Sequence, residues 1–348
     1  MEFFASIFLI ALLLPPLVVT AQFNSSPVYN VVDFGAVGDG ITDDTNISGE
    51  IVAEENPSRW KCSDDDCEKY WIQINHVDGL RLYGGGTIYG RGYKWWTMAA
   101  LEISHSEDVE LTDLNFKDNP RMHLVLNNLK SVFVSKINID APEHSPNTDG
   151  IHLSGSTNVT IDDCLIRTGD DCISIVNGTA DVSINRIVCG PGHGVSIGSL
   201  GKHGANDKVN NIYISNVVFH KSKNGARIKS WQGGSGYARN ITFEKITSID
   251  VENPVIIDQY YCDHQHCKTH DSAVEIYDIT FREVLGTSQN RVSVTFECSE
   301  AVPCRNVLVD DIYLLSKHHK STTSDCTNVF GKIQGKQRVP LISCLTQT

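Results

Sequence analysis

A pattern of apolar and polar residues recurs eight times along the chain. Its full form is apolar-x-apolar-x-x-apolar-x-apolar, as in Val159-x-Ile161-x-x-Cys164-x-Ile166. Because alternate residues are apolar, each copy predicts β-strand and not helix. The x-x step predicts a bend between two strand segments. The copies begin at Val109, Val132, Val159, Val182, Ile212, Ile241, Ile279 and Val307, and those at Ile241 and Ile279 are shorter.

The spacing of these copies predicts the fold. Successive copies are 23, 27, 23, 30, 29, 38 and 28 residues apart, and a repeat of this length is the signature of a solenoid. The pattern therefore predicts an all-β, single-stranded, right-handed parallel β-helix, whose coils stack about 4.8 Å apart around an apolar interior. A β-sandwich is the alternative, but it requires hairpin signals every 8–12 residues or so, and these are not evident. Many copies are preceded by Asn or Asp, which tolerate the backbone angles of a turn, among them Asp108, Asn158, Asp181, Asn211, Asn240 and Asn306.

Composition narrows the class of partner. The 348 residues include 29 Lys+Arg and 42 Asp+Glu, which gives a net charge of −13. This acidic balance argues against nucleic acid, which requires clustered cations. It does not exclude a polyanionic ligand, because local cations can set the charge of a site against that of the whole chain.

The N-terminus predicts secretion. Residues 3–19 are a nearly unbroken apolar run, and Val19-Thr20-Ala21 follows with residues suited to cleavage. We interpret residues 1–21 as a signal peptide and 22–348 as the β-helix domain. A membrane anchor is the alternative, but a run of about 17 residues is at the short limit for a bilayer, and two prolines interrupt it. We therefore expect an extracellular or cell-wall protein that is not membrane-bound after cleavage.

Cysteines and sequons agree with secretion. Eleven cysteines fit an oxidising compartment, and Cys164, in an apolar strand pattern, is expected to be a buried free thiol. Spacing suggests Cys172 with Cys189, Cys262 with Cys267, Cys298 with Cys304, Cys326 with Cys344, and Cys62 with Cys67, although connectivity cannot be proved from sequence. The segment Cys262-Asp-His-Gln-His-Cys267 also admits zinc as an alternative. Candidate glycosylation sites are Asn24, Asn46, Asn158, Asn177 and Asn240.

Polar residues capable of chemistry recur in the strands upstream of the repeat. They form four motifs: Asn147-Thr148-Asp149, Gly169-Asp170-Asp171, Gly192-His193-Gly194 and Arg227-Ile228-Lys229. The steps Asp149–Asp171 and Asp171–His193 are 22 residues each, and 34 and 33 residues then lead to Arg227 and Tyr260. Residues one coil apart in a solenoid lie on adjacent rungs. We therefore expect the acids, the imidazole, the two cations and a phenol to lie in one column on one face.

This column predicts acid–base chemistry. Neighbouring carboxylates raise each other's pKa, and carboxyl pairs with different pKa values are what glycosidic-bond hydrolysis uses. Taken singly, each residue has a structural interpretation. Asp149 and Asp170 could be turn aspartates, His193 could be structural, and Arg227 and Lys229 could lie on a solvated face. The shared coil spacing favours a site.

In order and spacing, the four motifs resemble glycoside hydrolase family 28, the polygalacturonases. The strings Ser145-Pro-Asn-Thr-Asp-Gly-Ile-His152 and Cys189-Gly-Pro-Gly-His-Gly-Val-Ser-Ile-Gly198 resemble plant members. The resemblance implies a pectin-lyase-like β-helix that hydrolyses α-1,4 links between galacturonates of pectin, with inversion and with no metal or other cofactor. The substrate it implies is homogalacturonan. Separately, we expect the protein to be a monomer. Rung spacing by itself does not decide between inversion and retention.

The resemblance also assigns roles. It implies that Asp170 is the general acid and that Asp149 and Asp171 activate water, while His193 supports the protonation of the acid. Asn147, Arg227, Lys229 and Tyr260 are expected to bind substrate, with Tyr261 as an alternative to Tyr260.

The chain departs from the family near its start. After Asn46-Ile47 it continues directly into Ser48-Gly-Glu-Ile-Val-Ala53, a segment that normally comes later, and a shorter gap follows Trp95-Trp96-Thr97. We therefore expect an incomplete N-terminal cap and incomplete first coils. Two other functions stay open: a non-catalytic solenoid that binds cell-wall polysaccharide, and a calcium-dependent pectate lyase.

Overall fold

The computed structural model describes residues 46–53, 70–94, 99–263, 267–318 and 320–347. The predicted signal peptide, the sequon at Asn24 and the cysteines Cys62 and Cys67 lie outside these ranges. Within them, no helix is long and apolar enough to cross a membrane. The backbone divides into two compact units, Met1–Asp170 and Asp171–Thr348, which are described separately.

In its described part, the first unit consists of parallel strands in two sheets. The sheet with the longer strands has the order β1-β4-β6-β8-β10, with β3 also paired to β6, and the sheet with the shorter strands has the order β2-β5-β7-β9. The strands are β1 (Glu50–Val52), β2 (Tyr70–Asn75), β3 (Arg81–Leu82), β4 (Thr87–Tyr89), β5 (Ala99–Ser104), β6 (Glu107–Lys117), β7 (Leu124–Asn127), β8 (Lys130–Asp140), β9 (Ile151–Ser154) and β10 (Thr157–Arg167), with a 3-10 turn at Gly92–Lys94.

The second unit repeats this arrangement. Its long-strand sheet has the order β12-β14-β16-β18-β20-β22-β23 and its short-strand sheet has the order β11-β13-β15-β17-β19-β21. The strands are β11 (Ile173–Ile175), β12 (Ala180–Cys189), β13 (Val195–Leu200), β14 (Asn206–His220), β15 (Asn224–Ser230), β16 (Ser235–Val251), β17 (Asn253–Asp258), β18 (Glu275–Ser288), β19 (Val292–Glu297), β20 (Cys304–Ser316), β21 (Thr323–Thr327), β22 (Val329–Val339) and β23 (Thr346–Gln347), with a 3-10 turn at Lys202–Gly204.

The predicted repeat is the long strand of each coil. Equivalent residues of successive copies pair in register, as Val159 does with Val132 and Ile161 with Val134. The residue before each copy has a positive φ, including all six predicted Asn and Asp residues, and so does the second residue of every x-x step, such as Asp163 with φ 55°. The sequence prediction of a turn and a bend in each copy is therefore confirmed. The fold is a parallel β-helix, as predicted.

Inward-facing side chains stack from coil to coil and form the core. In the second unit the rings of Phe243 and Phe281 are stacked with their centroids 5.5 Å apart, and Phe281 stacks on Phe296 at 5.9 Å. All three residues are fully buried. Each coil thus buries its apolar residues only because neighbouring coils cover them.

Four of the five candidate disulfides are present in the second unit. They join Cys172 to Cys189, Cys262 to Cys267, Cys298 to Cys304, and Cys326 to Cys344. Cys164 of the first unit is a buried free thiol, as predicted. The sequon residues Asn46, Asn158, Asn177 and Asn240 are exposed, which is compatible with glycosylation and does not test it.

Candidate active site

In the first unit, a tight turn presents the motif Asn147-Thr148-Asp149. Asn147 has φ 54° and its side chain is exposed. Thr148 is fully buried, and its hydroxyl donates to the carbonyl oxygen of Ser145 at 3.1 Å. Asp149 is only 7% exposed. The turn therefore anchors its middle residue and leaves an amide and a carboxyl on either side of it.

The same threonine positions the next motif. The backbone N–H of Gly169 donates to Thr148 Oγ1 at 3.0 Å. A side chain at position 169 would collide with the carbonyl oxygen of Ser145, so the close approach of the two segments requires glycine there. Asp170 is half-buried, and its backbone N–H donates to Thr168 Oγ1 at 3.2 Å. The backbone of Asp170 is thus held by a short-range contact.

His123 is a residue that the sequence analysis missed. Its backbone N–H and its Nδ1 both contact the carbonyl oxygen of Asp149, at 2.8 Å and 3.0 Å. Burial lowers the pKa of His123 to about 4, so the ring is neutral above that pH. Because a carbonyl oxygen can only accept, Nδ1 carries the proton. His123 therefore fixes the backbone at Asp149 with an uncharged ring.

In the second unit, Asp171 accepts hydrogen bonds from three side chains. Its Oδ1 accepts from Arg227 Nη2 and from Ser196 Oγ, the latter at 2.8 Å, and its Oδ2 accepts from Lys229 Nζ at 2.9 Å. Arg227 also donates from Nε to Ser196 Oγ at 2.8 Å. Strands β13 and β15 produce this cluster, because Ser196 and Arg227 pair in register.

The cluster is almost completely buried. Asp171, Arg227 and Lys229 are 2%, 8% and 7% exposed. The alternative interpretation, in which the two cations lie on a solvated face, is therefore wrong. Burial raises the pKa of Asp171, but Arg227 and Lys229 outweigh this effect and lower it to about 2. Asp171 is therefore an ionised carboxylate at any mildly acidic pH.

His193 lies one coil away from Asp171. The backbone N–H of Cys172 donates to the carbonyl oxygen of Gly194 at 2.8 Å, and Ile173 pairs with Val195. Nitrogen and oxygen atoms of the His193 and Asp171 side chains lie within 4.8 Å of each other. The predicted neighbourhood of imidazole and carboxylate is present within this unit.

The aromatic ring beside the cations belongs to Tyr261. Its centroid is 5.1 Å from Lys229 Nζ, and it meets the Trp231 ring edge-on at 5.5 Å. Tyr260 is 39% exposed, and its backbone N–H donates to Asp258 Oδ1 at 2.8 Å. Of the two alternatives, Tyr261 has the position suited to the site.

Asp258 adds an acid that the sequence analysis did not single out. In the strand register, Asp258 lies opposite Lys229 of β15 on one side and opposite Glu297 of β19 on the other. Burial raises the pKa of Asp258 and Glu297 raises it further, while the Tyr260 N–H, Arg227 and Lys229 lower it, with a result of about 6. Its spacing of 31 residues from Arg227 was the available signal, but the apolar run around it concealed it.

The donor set around Asp171 does not favour a divalent cation. Asp171 and His193 could each offer one ligand atom. Both oxygens of Asp171, however, already face the charges of Arg227 and Lys229, and a Ca²⁺ ion there would be repelled by both. The cluster is suited instead to a bound anion and to proton transfer.

Comparison with known proteins agrees with this arrangement. The model of a family described as "Glycosyl hydrolases family 28" matches residues 38–336. The chain belongs to this family, and it is a glycoside hydrolase.

Similar proteins come from plants. A protein named "Probable polygalacturonase" from Arabidopsis thaliana is 38% identical over 93% of this chain and 82% of its own length. A polygalacturonase from Persea americana is 39% identical over 86% and 67%, respectively. The Arabidopsis alignment runs over 379 residues, more than the 348 of this chain, so it contains gaps in this chain.

Solved structures support the fold alone. An endo-xylogalacturonan hydrolase from Aspergillus tubingensis has a TM-score of 0.73 with 22% identity, and 87% of this chain and 84% of that one are covered. A polygalacturonase from Erwinia carotovora has a TM-score of 0.67 with 24% identity over 81% and 80%.

Proposed function

We propose that this protein is a secreted polygalacturonase that hydrolyses α-1,4 links between galacturonates in pectin. The observation that carries the proposal is the buried carboxylate Asp171 beside two cations, Arg227 and Lys229. A neutral-sugar hydrolase has no need to bury a guanidinium and an ammonium next to its acids. A uronate substrate brings one carboxylate per sugar, which such cations bind.

The roles follow from charge state and motif. Asp171, ionised and held by three donors, acts as a base that activates water, together with Asp149. Asp170 is the general acid, and His193 supports its protonation. Arg227, Lys229 and Tyr261 bind the carboxylate of the sugar at the cleavage point, with Asn147 as a further contact. Inversion of configuration is part of the proposal by family resemblance.

Location and assembly complete the proposal. Signal-like residues 1–21, eleven cysteines and the four disulfides of the described part support export to an oxidising compartment such as the cell wall. We propose that the mature chain, from residue 22, acts as a monomer and needs no metal. We also propose that its N-terminal cap and first coils are shortened, which is compatible with an alignment to a plant relative that is longer than this chain.

The test is release of reducing ends from de-esterified polygalacturonate at pH 4–6, with chelator present, by the exported chain and by its Asp170→Asn variant. Release by the parent chain and a loss of about a hundredfold or more in the variant would support the proposal. Folded protein that binds the polymer without releasing ends would indicate a non-catalytic solenoid. Activity that chelator abolishes, with an ultraviolet-absorbing product, would indicate a lyase.

A further inference from the structure

A second ammonium group of the second unit, that of Lys202, is held by an aromatic ring and a carboxylate. Lys202 Nζ lies 4.9 Å from the centroid of the Trp231 ring, and it donates to Asp263 Oδ2 at 2.7 Å. Trp231 is 8% exposed. Its ring therefore contacts the ammonium group of Lys202 but has little surface accessible to a ligand. Asp263 follows directly on the disulfide-bonded Cys262.

A rigid turn carries this lysine. Gly201 precedes it with φ 80°, and a side chain there would lie 2.8 Å from the Cα of Gly234. The backbone N–H of Gly201 donates to Asp207 Oδ2 at 2.6 Å. These contacts position the residue before Lys202, and the Lys202 side chain, which is 45% exposed, is accessible to a ligand.

Aromatic rings connect this lysine to the buried cluster. From Lys202 Nζ the steps are 4.9 Å to the Trp231 ring, 5.5 Å from that ring to Tyr261, and 5.1 Å from Tyr261 to Lys229 Nζ. The backbone agrees, since the N–H of Tyr261 donates to the carbonyl oxygen of Ser230 at 3.2 Å. Two ammonium groups thus stand at the two ends of one pair of rings.

The two lysines differ in how firmly they are paired. Lys229 and Asp171 have side chains that are 8% and 2% exposed. Those of Lys202 and Asp263 are 45% and 38% exposed. An exposed ion pair contributes little to stability because water screens it, so an incoming carboxylate can replace Asp263 with little loss.

We propose that Lys202 binds the carboxylate of a second uronate in the same substrate chain, and that Asp263 is the counter-ion which that carboxylate displaces. The inference rests on the proposed function for the sugar bound at Lys229. The Tyr261 ring is half-buried and contacts both Lys229 and the Trp231 ring that lies under Lys202, so in this proposal it contacts the sugar rings that join the two carboxylates. The ligand is a run of unesterified uronates, because a methyl ester carries no charge for Lys202 to bind.

Variants with opposite expected signs test this subsite. Lys202→Met should raise KM for de-esterified polygalacturonate about threefold to tenfold, with kcat within about twofold. Asp263→Asn, which removes the competing counter-ion, should lower KM about twofold. Lys208→Met is the matched control, because Lys208 is also exposed and also lies over a ring, 6.0 Å from that of Tyr237. It should leave KM unchanged.

A purely structural ion pair gives a different result. If Lys202 and Asp263 only stabilise the fold, both variants should lower the unfolding temperature and change KM in the same direction or not at all. That outcome, or a Lys202→Met effect equal to that of Lys208→Met, would overturn the proposal. The effect of Lys202→Met should also disappear on highly methyl-esterified pectin.

Calorimetric binding of oligogalacturonates separates the subsite from the proposed reaction. If the parent chain binds them without releasing ends, the proposed hydrolysis fails, and the subsite still stands provided that Lys202→Met weakens binding and Asp263→Asn strengthens it. If hydrolysis occurs and the two variants bind like the parent chain, the subsite fails alone. If the parent chain binds no oligogalacturonate, both proposals fail.

Discussion

Strands β15 and β16 are consecutive in the second unit, yet their outward-facing residues differ in burial. In β16 buried and accessible residues alternate along most of the strand, so that one face points to the core and the other to water. In β15 all seven residues are buried, including the outward-facing Arg227 and Lys229. At β15, the outer face of the short-strand sheet is therefore buried, and the residues buried there include charged ones.

Ion pairs of the two sheets differ in how much the fold is destabilised when one partner is removed. Arg282 and Asp310, on the long strands β18 and β20, form a pair at 3.2 Å with side chains 39% and 20% exposed. Water screens such a pair, and breaking it costs about 1 kcal/mol or less. The Asp171 cluster is dehydrated, so its members stabilise the fold only while all are present. Because such a cluster is easily made destabilising, we infer that the buried charges serve the function of the protein.

The largest expected effect comes from Asp171→Asn. It removes the proposed base, and it leaves two buried cations without their carboxylate. We expect reducing-end release to fall about 10²- to 10⁴-fold and the free energy of unfolding to fall by about 3–5 kcal/mol. Activity assays combined with urea unfolding measure both.

Asp310→Asn is the matched control, since it breaks the partly exposed pair of the other sheet. It should keep activity and lose about 1 kcal/mol or less. If the two variants lose equal stability, the contrast between the sheets is wrong.

Substitutions in the core test whether the two sheets also differ in their inward-facing residues. Phe281 of β18 and Phe296 of β19 belong to different sheets, yet both are fully buried and their rings are stacked. Phe281→Ala and Phe296→Ala should each destabilise by about 3–5 kcal/mol, because inward residues of both sheets fill one core. Phe330, which is 57% exposed, provides the control, and Phe330→Ala should change stability by less than about 0.5 kcal/mol. A loss confined to one sheet would contradict a shared core.

Much of the fold could be predicted from the sequence, because the solenoid repeats one local rule. Alternation specified the strands, and the bend at Asp163 and its equivalents followed from the x-x step. Coil spacing likewise predicted that Asp171, His193 and Arg227 would be neighbours. In a solenoid, distance along the chain translates directly into distance in space.

The remaining features depend on three-dimensional contacts that no spacing encodes. Alternation with the inward-facing Ile228 places Lys229 on the outer face of its strand, but it does not show that Lys229 would form a buried ion pair with Asp171. His123 was missed because its partner is a backbone carbonyl of Asp149. The choice of Tyr261 over Tyr260 depends on a turn after β17, where strand alternation no longer applies.

The pH dependence of stability gives a smaller test. The pKa of Asp258 is about 6 in the folded chain against an ordinary 3.8, so folding favours its neutral form. This stabilisation is fully present below pH 3.8 or so and is lost as pH rises through 6, with an upper limit of about 3 kcal/mol. Asp171 has the opposite sign, because its lowered pKa of about 2 makes its stabilisation fall only as pH drops below about 4.

Urea unfolding of the parent chain and of the Asp258→Asn variant, compared between pH 4 and pH 7, isolates Asp258, because other groups that titrate there, such as His123 with its lowered pKa of about 4, are common to both proteins. Asp258→Asn mimics the neutral form, so the parent chain should lose stability relative to this variant as pH rises. Parallel profiles would show that Asp258 titrates normally.

The smallest effect distinguishes two neighbouring tyrosines. The Tyr261 ring lies 5.1 Å from Lys229 Nζ, on the buried side of the comparison, and a contact between a cation and a ring contributes about 0.5–2 kcal/mol. Tyr261→Leu should therefore raise KM for polygalacturonate about threefold to tenfold. Tyr260→Leu should leave KM nearly unchanged, because the described contact of Tyr260 with Asp258 uses its backbone N–H, which leucine retains. If Tyr260→Leu has the larger effect, the ring that contacts substrate is the exposed one, and the uronate site extends outward from the buried cluster.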